Sequence, residues 1–466
     1  MIKSELAVIG AGPAGLAAAL TAAQAGVQVT LIDEYPKPGG QYLKGAAHPQ
    51  ATAPVSATER KGRALLRQLA QTDVTVCTGT LVWGIEGNGA GLRLALHGPE
   101  GSTWLEAQAV LAATGARELV LPFPGWTLPG VMTLGASQVL TKAHKVLPGK
   151  RVLLAGSGPL LLPTASALTR LGAEVVAVLE ATRLTQWLRH GPAVWGQGER
   201  LREGWHYLWG MWGGRVPYRF GRTVVRAIGQ ASLTAAIIAR LDRQGVPIPG
   251  SEETIQVDTL CLGFGLVPNV ELTQLAGCAH AFDPTRGGWV PQVNEQLETT
   301  VPGLFAAGEM TGVDGAGAAM LEGHLAALAA AAKLGRIDAD TLRAELTRAA
   351  GPRRRARRFG AMLNTLFAPR TGLDAITTDE TLLCRCEEVT AGQVRTAIQA
   401  GAGELDALKT WTRIGQGPCQ GRTCGPLLAR FLARETCRPV AEAGLLHVRP
   451  PLKPIPLSGI AMEEKA

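Results

Sequence analysis

Four cysteines near the end of the chain carry the sharpest chemical signal. They stand as Cys384-x-Cys386 and, after 32 intervening residues, Cys419-x4-Cys424. Four thiolates can hold two irons bridged by sulfide, and the surrounding protein sets the potential. Four thiolates also make a structural zinc site, but zinc sites usually use C-x2-C knuckles rather than C-x-C with C-x4-C. The spacing therefore points to a [2Fe–2S] cluster on Cys384, Cys386, Cys419 and Cys424. Gly415, Gly417 and Gly421 allow a sharp loop whose N–H groups can face sulfur. Cys437 lies outside the pattern. Cys77, Cys261 and Cys278 are isolated and read as small buried hydrophobes, so no closely spaced dithiol precedes the quartet.

At the other end, residues 5–34 join an apolar strand, a glycine turn, an alanine-rich helix and a second apolar strand. Gly10 permits the turn, Gly12 lets backbone approach a pyrophosphate, and Gly15 lets helix and strand pack closely. Pro13 and Ala14 open the helix, whose N-terminus offers N–H groups to phosphate. Asp33 lies 23 residues after Gly10 and is followed by Glu34, where an acid accepts hydrogen bonds from an adenosine ribose. Strand, helix, strand and acid in register mark a dinucleotide site. Three further segments favour FAD: Pro38–Gly39–Gly40–Gln41, the run 111–116 with Thr114 and Gly115, and the run 299–312 with Gly308–Glu309.

Residues 151–180 repeat the pattern, with Gly156 and Gly158 in the turn and Glu180 at the end of the second strand. Leu161 takes the third glycine's place, where a bulky side chain works against close helix–strand packing. A second βαβ unit is expected. Its occupant stays open between NAD, another adenine nucleotide and none, the domain then being structural. Glu180 disfavours a 2′-phosphate.

The elements that position these residues need several domains. The chain has 466 residues, a net charge of +8 and eight cysteines. That count is no disulfide framework. Residues Glu5 to Gly12 already read as strand and turn, which leaves no signal peptide, and the Ala-rich run Leu325–Leu334 reads as a packed helix rather than a membrane span. The expected compartment is the cytoplasm, with membrane contact at most peripheral, on the inner face. The basic run Arg353, Arg354, Arg355, Arg357 and Arg358 has no aromatic-plus-basic module beside it and reads as a solvated helix face, linker or subunit contact, not a nucleic-acid site. Aromatic residues crowd between Trp187 and Phe220 (Trp195, Trp205, Tyr207, Trp209, Trp212 and Tyr218), which suits a subunit interface or an interdomain core equally.

The flavin segments resemble those of the two-dinucleotide-domain flavoproteins, which include glutathione and thioredoxin reductases. In most members the last motif ends Gly-Asp and that Asp bonds the flavin ribitol; Glu309 replaces it here. The C-Q-G-R-x-C string resembles the small helical bacterioferritin-associated-ferredoxin-like domain. The order of motifs, with P-F-P-G-W-T-L-P-G-V-M at 122–132 and the Pro-rich tail at 449–457, resembles one family over nearly the whole chain. That family comprises the larger-cofactor subunits of hydrogen cyanide synthase, opine oxidase and D-hydroxyproline (proline) dehydrogenase; heterotetrameric sarcosine oxidase is more distant.

The resemblance implies an α/β, glutathione-reductase-like flavoprotein with a C-terminal [2Fe–2S] domain. The expected division is an FAD domain at 1–125 and 255–345, an inserted nucleotide-like domain at 126–254, a basic helical linker at 346–380, a cluster domain at 381–440 and an extended tail at 441–466. It also implies a smaller FAD-dependent subunit that takes hydride from the carbon beside an amine nitrogen. FMN at a subunit interface, together with a further small subunit, is compatible with it. This chain would then handle electrons, and no acid/base pair is singled out among its residues. The competing readings are a self-contained NAD(P)H-dependent reductase and a cluster-bearing scaffold.

Overall fold

The computed structural model describes residues 2–46, 57–87, 89, 91–190 and 216–461. Two compact units share the chain. The first takes residues 1–117, 267–364 and 448–466, the second 118–266 and 365–447.

The first unit is built on a sheet whose strands are β1 (Ile2–Ile9), β2 (Val29–Asp33), β3 (Thr75–Thr78), β4 (Leu81–Gly87), β5 (Leu92–Gly98) and β6 (Gly101–Ala112). Their order is β3-β2-β1-β6-β5-β4. β1 runs parallel to both β2 and β6. Both faces of a parallel sheet are covered, so its strands read as apolar runs; all five residues of β2 are buried. The long β6 serves two partners. Its first half closes a hairpin with β5, and its second half pairs with β1 and with the strand Leu304–Ala306. The helices α1 (Pro13–Gln24) and Ala316–Lys333 contribute to one core with β1 and β2. The Ala-rich run expected to be a packed helix is buried from Leu325 to Ala331.

The second unit holds a five-stranded parallel sheet in the order Tyr218–Phe220, Glu174–Glu180, Arg151–Gly156, Thr259–Gly263, Val131–Thr133. A three-stranded antiparallel sheet, Arg222–Gly229, Leu233–Arg240 and Glu253–Gln256, accompanies it. The cysteine-rich part belongs to the same unit. It consists of the short pair Leu382–Cys384 and Val389–Thr390 and the helices Ala391–Gln399, Leu405–Thr412 and Cys424–Glu435. Thr390 and Gln393 form a reciprocal capping box that starts the first of these. The Trp126 indole N–H donates to the Leu382 carbonyl at 2.7 Å, and Arg430 pairs with Asp374 at 3.0 Å, so this part is fastened to the nucleotide-like sheet.

The helix Ala339–Leu366 carries the basic run, and the first unit extends to residue 364. Arg354, Arg355 and Arg358 are exposed, whereas Arg353 and Arg357 turn inward to the buried Glu322 carboxylate at 3.1 and 3.2 Å. The tail packs against the first unit's other segments. Leu452 is buried, its amide donates to the Trp83 carbonyl, and Lys453 pairs with Glu34.

Candidate functional site

The glycine turn after β1 is a backbone cradle at the carboxyl ends of parallel strands, where the strand order reverses and nucleotides bind in such sheets. Gly10 has φ +102° and lies so close to β6 that a Cβ there would stand 2.4 Å from the Ala113 carbonyl oxygen. A Cβ on Gly15 would stand 1.7 Å from the Gly10 carbonyl oxygen. Gly40, at φ +56°, brings its segment to within a Cβ's reach (2.7 Å) of the Gly12 Cα, and Gly39 N–H donates to the Ala11 carbonyl at 2.7 Å. Gly12 itself meets only Gly40 within 4 Å of its missing Cβ, and it caps α1 without a side-chain hydrogen bond. Such a cradle suits a pyrophosphate.

Asp33 ends β2 in the same place. Its carboxylate accepts from Ala11 N–H at 2.5 Å and from Tyr35 N–H at 2.8 Å. Burial pushes Asp33 above the usual carboxylate range, against the pull of those two amides. Each carboxylate oxygen has two lone pairs, so capacity remains for a ribose hydroxyl. Glu34 points elsewhere, to Lys453. Gln41 donates to the Tyr35 hydroxyl at 3.1 Å. Thr114 Oγ donates to the Asn269 carbonyl at 2.8 Å, and the Asn269 amide returns a bond to the Thr114 carbonyl at 2.8 Å. Gly115, at φ +69°, has open space where its Cβ would lie.

The Gly308–Glu309 loop closes over α1. A Cβ on Gly308 would come within 2.7 Å of the Ala14 Cβ, and one on Gly323 within 2.0 Å of the Ala14 carbonyl oxygen. Glu322 holds this loop, accepting from Gly308 N–H at 3.2 Å and Thr311 Oγ at 2.6 Å. Arg286 donates to the Thr311 carbonyl. Glu309 is half-buried; burial, then the neighbouring Asp314 carboxylate, push it up to about 7. It is therefore about half protonated near neutrality.

The four thiols of the quartet are linked. The Cys424 thiol is within hydrogen-bond reach of the Cys384 and Cys419 sulfurs, which draws Cys384 down to about 6 and lowers Cys419, while Cys424 itself is raised. Cys386 joins the chain through Cys419. Backbone N–H groups of Gly415, Glu387 and Cys386 face the Cys384 sulfur, and those of Thr423 and Gly421 face Cys419. Among the described residues no three Cys, His, Asp or Glu groups are set around a single ion. Two sulfide-bridged irons ask for less, two thiolates each, and backbone N–H groups around them tune the potential. The donor set fits such a cluster. Cys384 and Cys424 are buried, Cys419 is half-buried and Cys386 is exposed.

In the second βαβ unit, Glu180 is fully buried and accepts from Gly158 N–H at 3.2 Å, Thr182 N–H at 3.0 Å and Tyr218 OH at 3.2 Å. Gly156 stands where a Cβ would lie 1.8 Å from the Gly263 carbonyl oxygen. Leu161 is fully buried in the core beneath the turn. Cys261 and Cys278 are buried, as expected of small apolar fillers, whereas Cys77 is half-buried. Trp195, Trp205, Tyr207, Trp209 and Trp212 lie outside the described residues.

Residues 4–333 match the family model described as pyridine nucleotide-disulphide oxidoreductase, and residues 382–434 match the BFD-like [2Fe-2S] binding domain. The chain belongs to the pyridine nucleotide-disulphide oxidoreductase family. It is an FAD-dependent oxidoreductase of that family with a BFD-like domain appended. An opine oxidase subunit of Rhizobium meliloti is 33% identical, the match covering 98% of this chain and 87% of that one. Hydrogen cyanide synthase subunit HcnB of Pseudomonas aeruginosa is 32% identical, covering 97% of each. The family member therefore groups with these chains. L-proline dehydrogenase from P. horikoshii shares the fold, with TM-score 0.71 at 20% identity over 99% of this chain and 80% of that one. Among the described residues no helix is long and apolar enough to cross a membrane.

Sequence reasoning did not find Glu322, Gly323, Asn269 or the inward pair Arg353 and Arg357. One signal was available: Glu322–Gly323 is an acid and a glycine inside an otherwise Ala- and Leu-rich helix, where neither is a natural filler.

Proposed function

We propose that this chain is the electron-transfer subunit of a heteromeric dehydrogenase or oxidase acting on the CH–NH group of an amino-acid-like substrate of the proline or hydroxyproline, opine or glycine type. The observation that carries the reading is the near-full-length similarity to two chains that are themselves named as subunits, of opine oxidase and of hydrogen cyanide synthase. The partner in this reading is a smaller FAD-dependent subunit that oxidises the substrate. An interfacial FMN and a further small subunit complete the assembly. The complex works in the cytoplasm, with peripheral membrane contact at most.

Within the chain, Gly10, Gly12, Pro13, Ala14 and Gly15 bind the FAD pyrophosphate and Asp33 the ribose. Gly40, Gln41, Thr114 and Gly115 line the path of the cofactor. Gly308 brings the loop close, and Glu309 faces the ribitol side. Cys384, Cys386, Cys419 and Cys424 hold the cluster. FAD, when bound, exchanges two electrons and a [2Fe–2S] cluster one at a time; the chain's own residues bind, orient and tune them.

An anaerobic spectrum of the purified chain, titrated with proline, hydroxyproline and opine candidates with and without the product of the neighbouring gene, tests this. Bleaching of the flavin and cluster bands only when substrate is added together with that second chain is the expected result. Full-rate oxidation by the isolated chain would overturn the division of labour.

A further inference from the structure

The second βαβ unit has a peculiarity that its own sequence does not reveal. In such units the second glycine of the turn is where a nucleotide's pyrophosphate comes against the backbone, at a helix N-terminus. Here that glycine is Gly158, and what stands over it is a side chain of the same unit. The missing Gly158 Cβ points at Phe367, 3.7 Å from its Cγ. Phe367 is 7% exposed. Its ring packs edge-on against Trp187 at 5.3 Å between centroids, and Trp187 packs likewise against Phe220 at 5.8 Å. The Trp187 indole N–H donates to Thr182 Oγ at 2.9 Å, just beyond Glu180.

The segment that carries Phe367 is held at several points. Arg370 donates to the Arg243 carbonyl at 3.0 Å, Gly372 N–H to the Gln244 carbonyl at 3.2 Å, and Leu373 is buried in the core of the nucleotide-like sheet. The space left between this strap and the turn is about 10 Å³, lined by Ser157, Thr182, Pro369 and Arg370 among others. That is room for one water and not for a nucleotide. Glu180, the ribose acid by position, already takes three donors of its own unit.

We propose that Phe367 is a specificity-determining residue: it sits in the nucleotide's place and bars NAD(P)H from the second βαβ unit, so that electrons enter this chain from another donor. The nucleotide-like sheet then acts as the mount for the thiol-bearing part, whose first strand hangs on Trp126 and whose last helix hangs on Asp374. This goes beyond the substrate reading above and does not rest on it. A chain that rejects NADH and also stays oxidised with amine and the second chain present would sink that reading and leave this one standing.

The test uses the holoprotein, anaerobically, with NADH in millimolar excess, and calorimetry with ADP-ribose. Wild type should show neither bleaching of its flavin band nor ADP-ribose heat. Phe367→Ala, checked for folding by its cluster spectrum, should give ADP-ribose heat, with an affinity roughly tenfold or more above the limit that the wild-type titration sets. Phe367→Leu, which refills most of the space, should behave as wild type. If Phe367→Ala does not accumulate folded, Phe367→Val carries the same comparison. Rapid bleaching of wild type by NADH overturns the proposal, and so does a folded Phe367→Ala or Phe367→Val protein with no gain in ADP-ribose affinity.

Discussion

Arg353 Nε stands 3.1 Å from Glu322 Oε1, while the other oxygen of that carboxylate takes the amide of Gly308 at 3.2 Å. One buried acid thus joins the basic helix to the proposed flavin loop. Removing one member of a buried pair leaves the other charge uncompensated, at a cost of about 3–5 kcal/mol when water cannot reach it. Arg357 is 39% exposed and Arg353 16%, so solvent relieves part of that cost. Glu322→Gln should therefore destabilise the protein by about 2 kcal/mol. It should also lower the FAD retained through gel filtration. A wild-type melting midpoint with full flavin would refute the role.

Glu309 gives a pH dependence with a definite sign. Its proton is held more tightly in the folded chain than in the unfolded one, where the carboxyl titrates near 4.5. The folded state therefore binds more protons between about pH 4.5 and about 7, and the stability contributed by Glu309 falls as pH rises through that window. In flavin-free protein, Glu309→Gln should flatten this slope, gaining on wild type as pH rises. Parallel melting curves for the two proteins across the window would contradict the assignment.

The thiol quartet separates cleanly from its neighbour. Cys424→Ser should lose the cluster's visible bands and most of the bound iron, because it removes the thiol that stands within hydrogen-bond reach of both Cys384 and Cys419. Cys437→Ser should keep both, since Cys437 is exposed and stands outside the linked set. Iron per chain and the low-temperature EPR signal after dithionite decide it; equal iron in the two variants is the contrary result.

Loop shape around the quartet is as sensitive as the ligands. A Cβ on Gly417 would stand 2.3 Å from the Cys386 Cβ, so Gly417→Ala must push the two ligand-bearing loops apart. Substoichiometric iron is expected. Gly403→Ala, whose Cβ would meet nothing closer than 4.0 Å, is the control and should bind iron as wild type. Full iron in Gly417→Ala would mean that the loop yields at no cost.

The legible part of the site was the part written in local spacing. The turn at Gly10, the acid at Asp33, the repeat at Gly156 and the quartet of thiols each depend on residues close in sequence. Their elements form where the pattern places them, because strand and helix periods are local. What joins segments far apart leaves little trace. Glu322 meets Arg353 from the preceding helix, 31 residues away, and Lys453 reaches Glu34 from the opposite end of the chain. The basic run looks solvated because charge count alone does not say which arginines of a helix face inward. Leu161 reads as an obstacle to packing; the structure instead starts its helix at Leu161 and sinks that side chain into the core. Phe367 carries no motif at all, and only the folded chain brings it to Gly158.

The first unit is assembled from three separated stretches of chain, and that has a consequence on the ribosome. Gly10 emerges early, but the strand Leu304–Ala306 and the helix Ala316–Lys333 that complete its core are made about three hundred residues later. Leu452, which joins the core on the other face of the sheet, is later still. At roughly 5–20 residues per second the wait is on the order of 15–60 s. Throughout it, β1 and β2 have α1 but lack the rest of their cover, so the growing chain must shelter apolar strand surface until those later segments arrive.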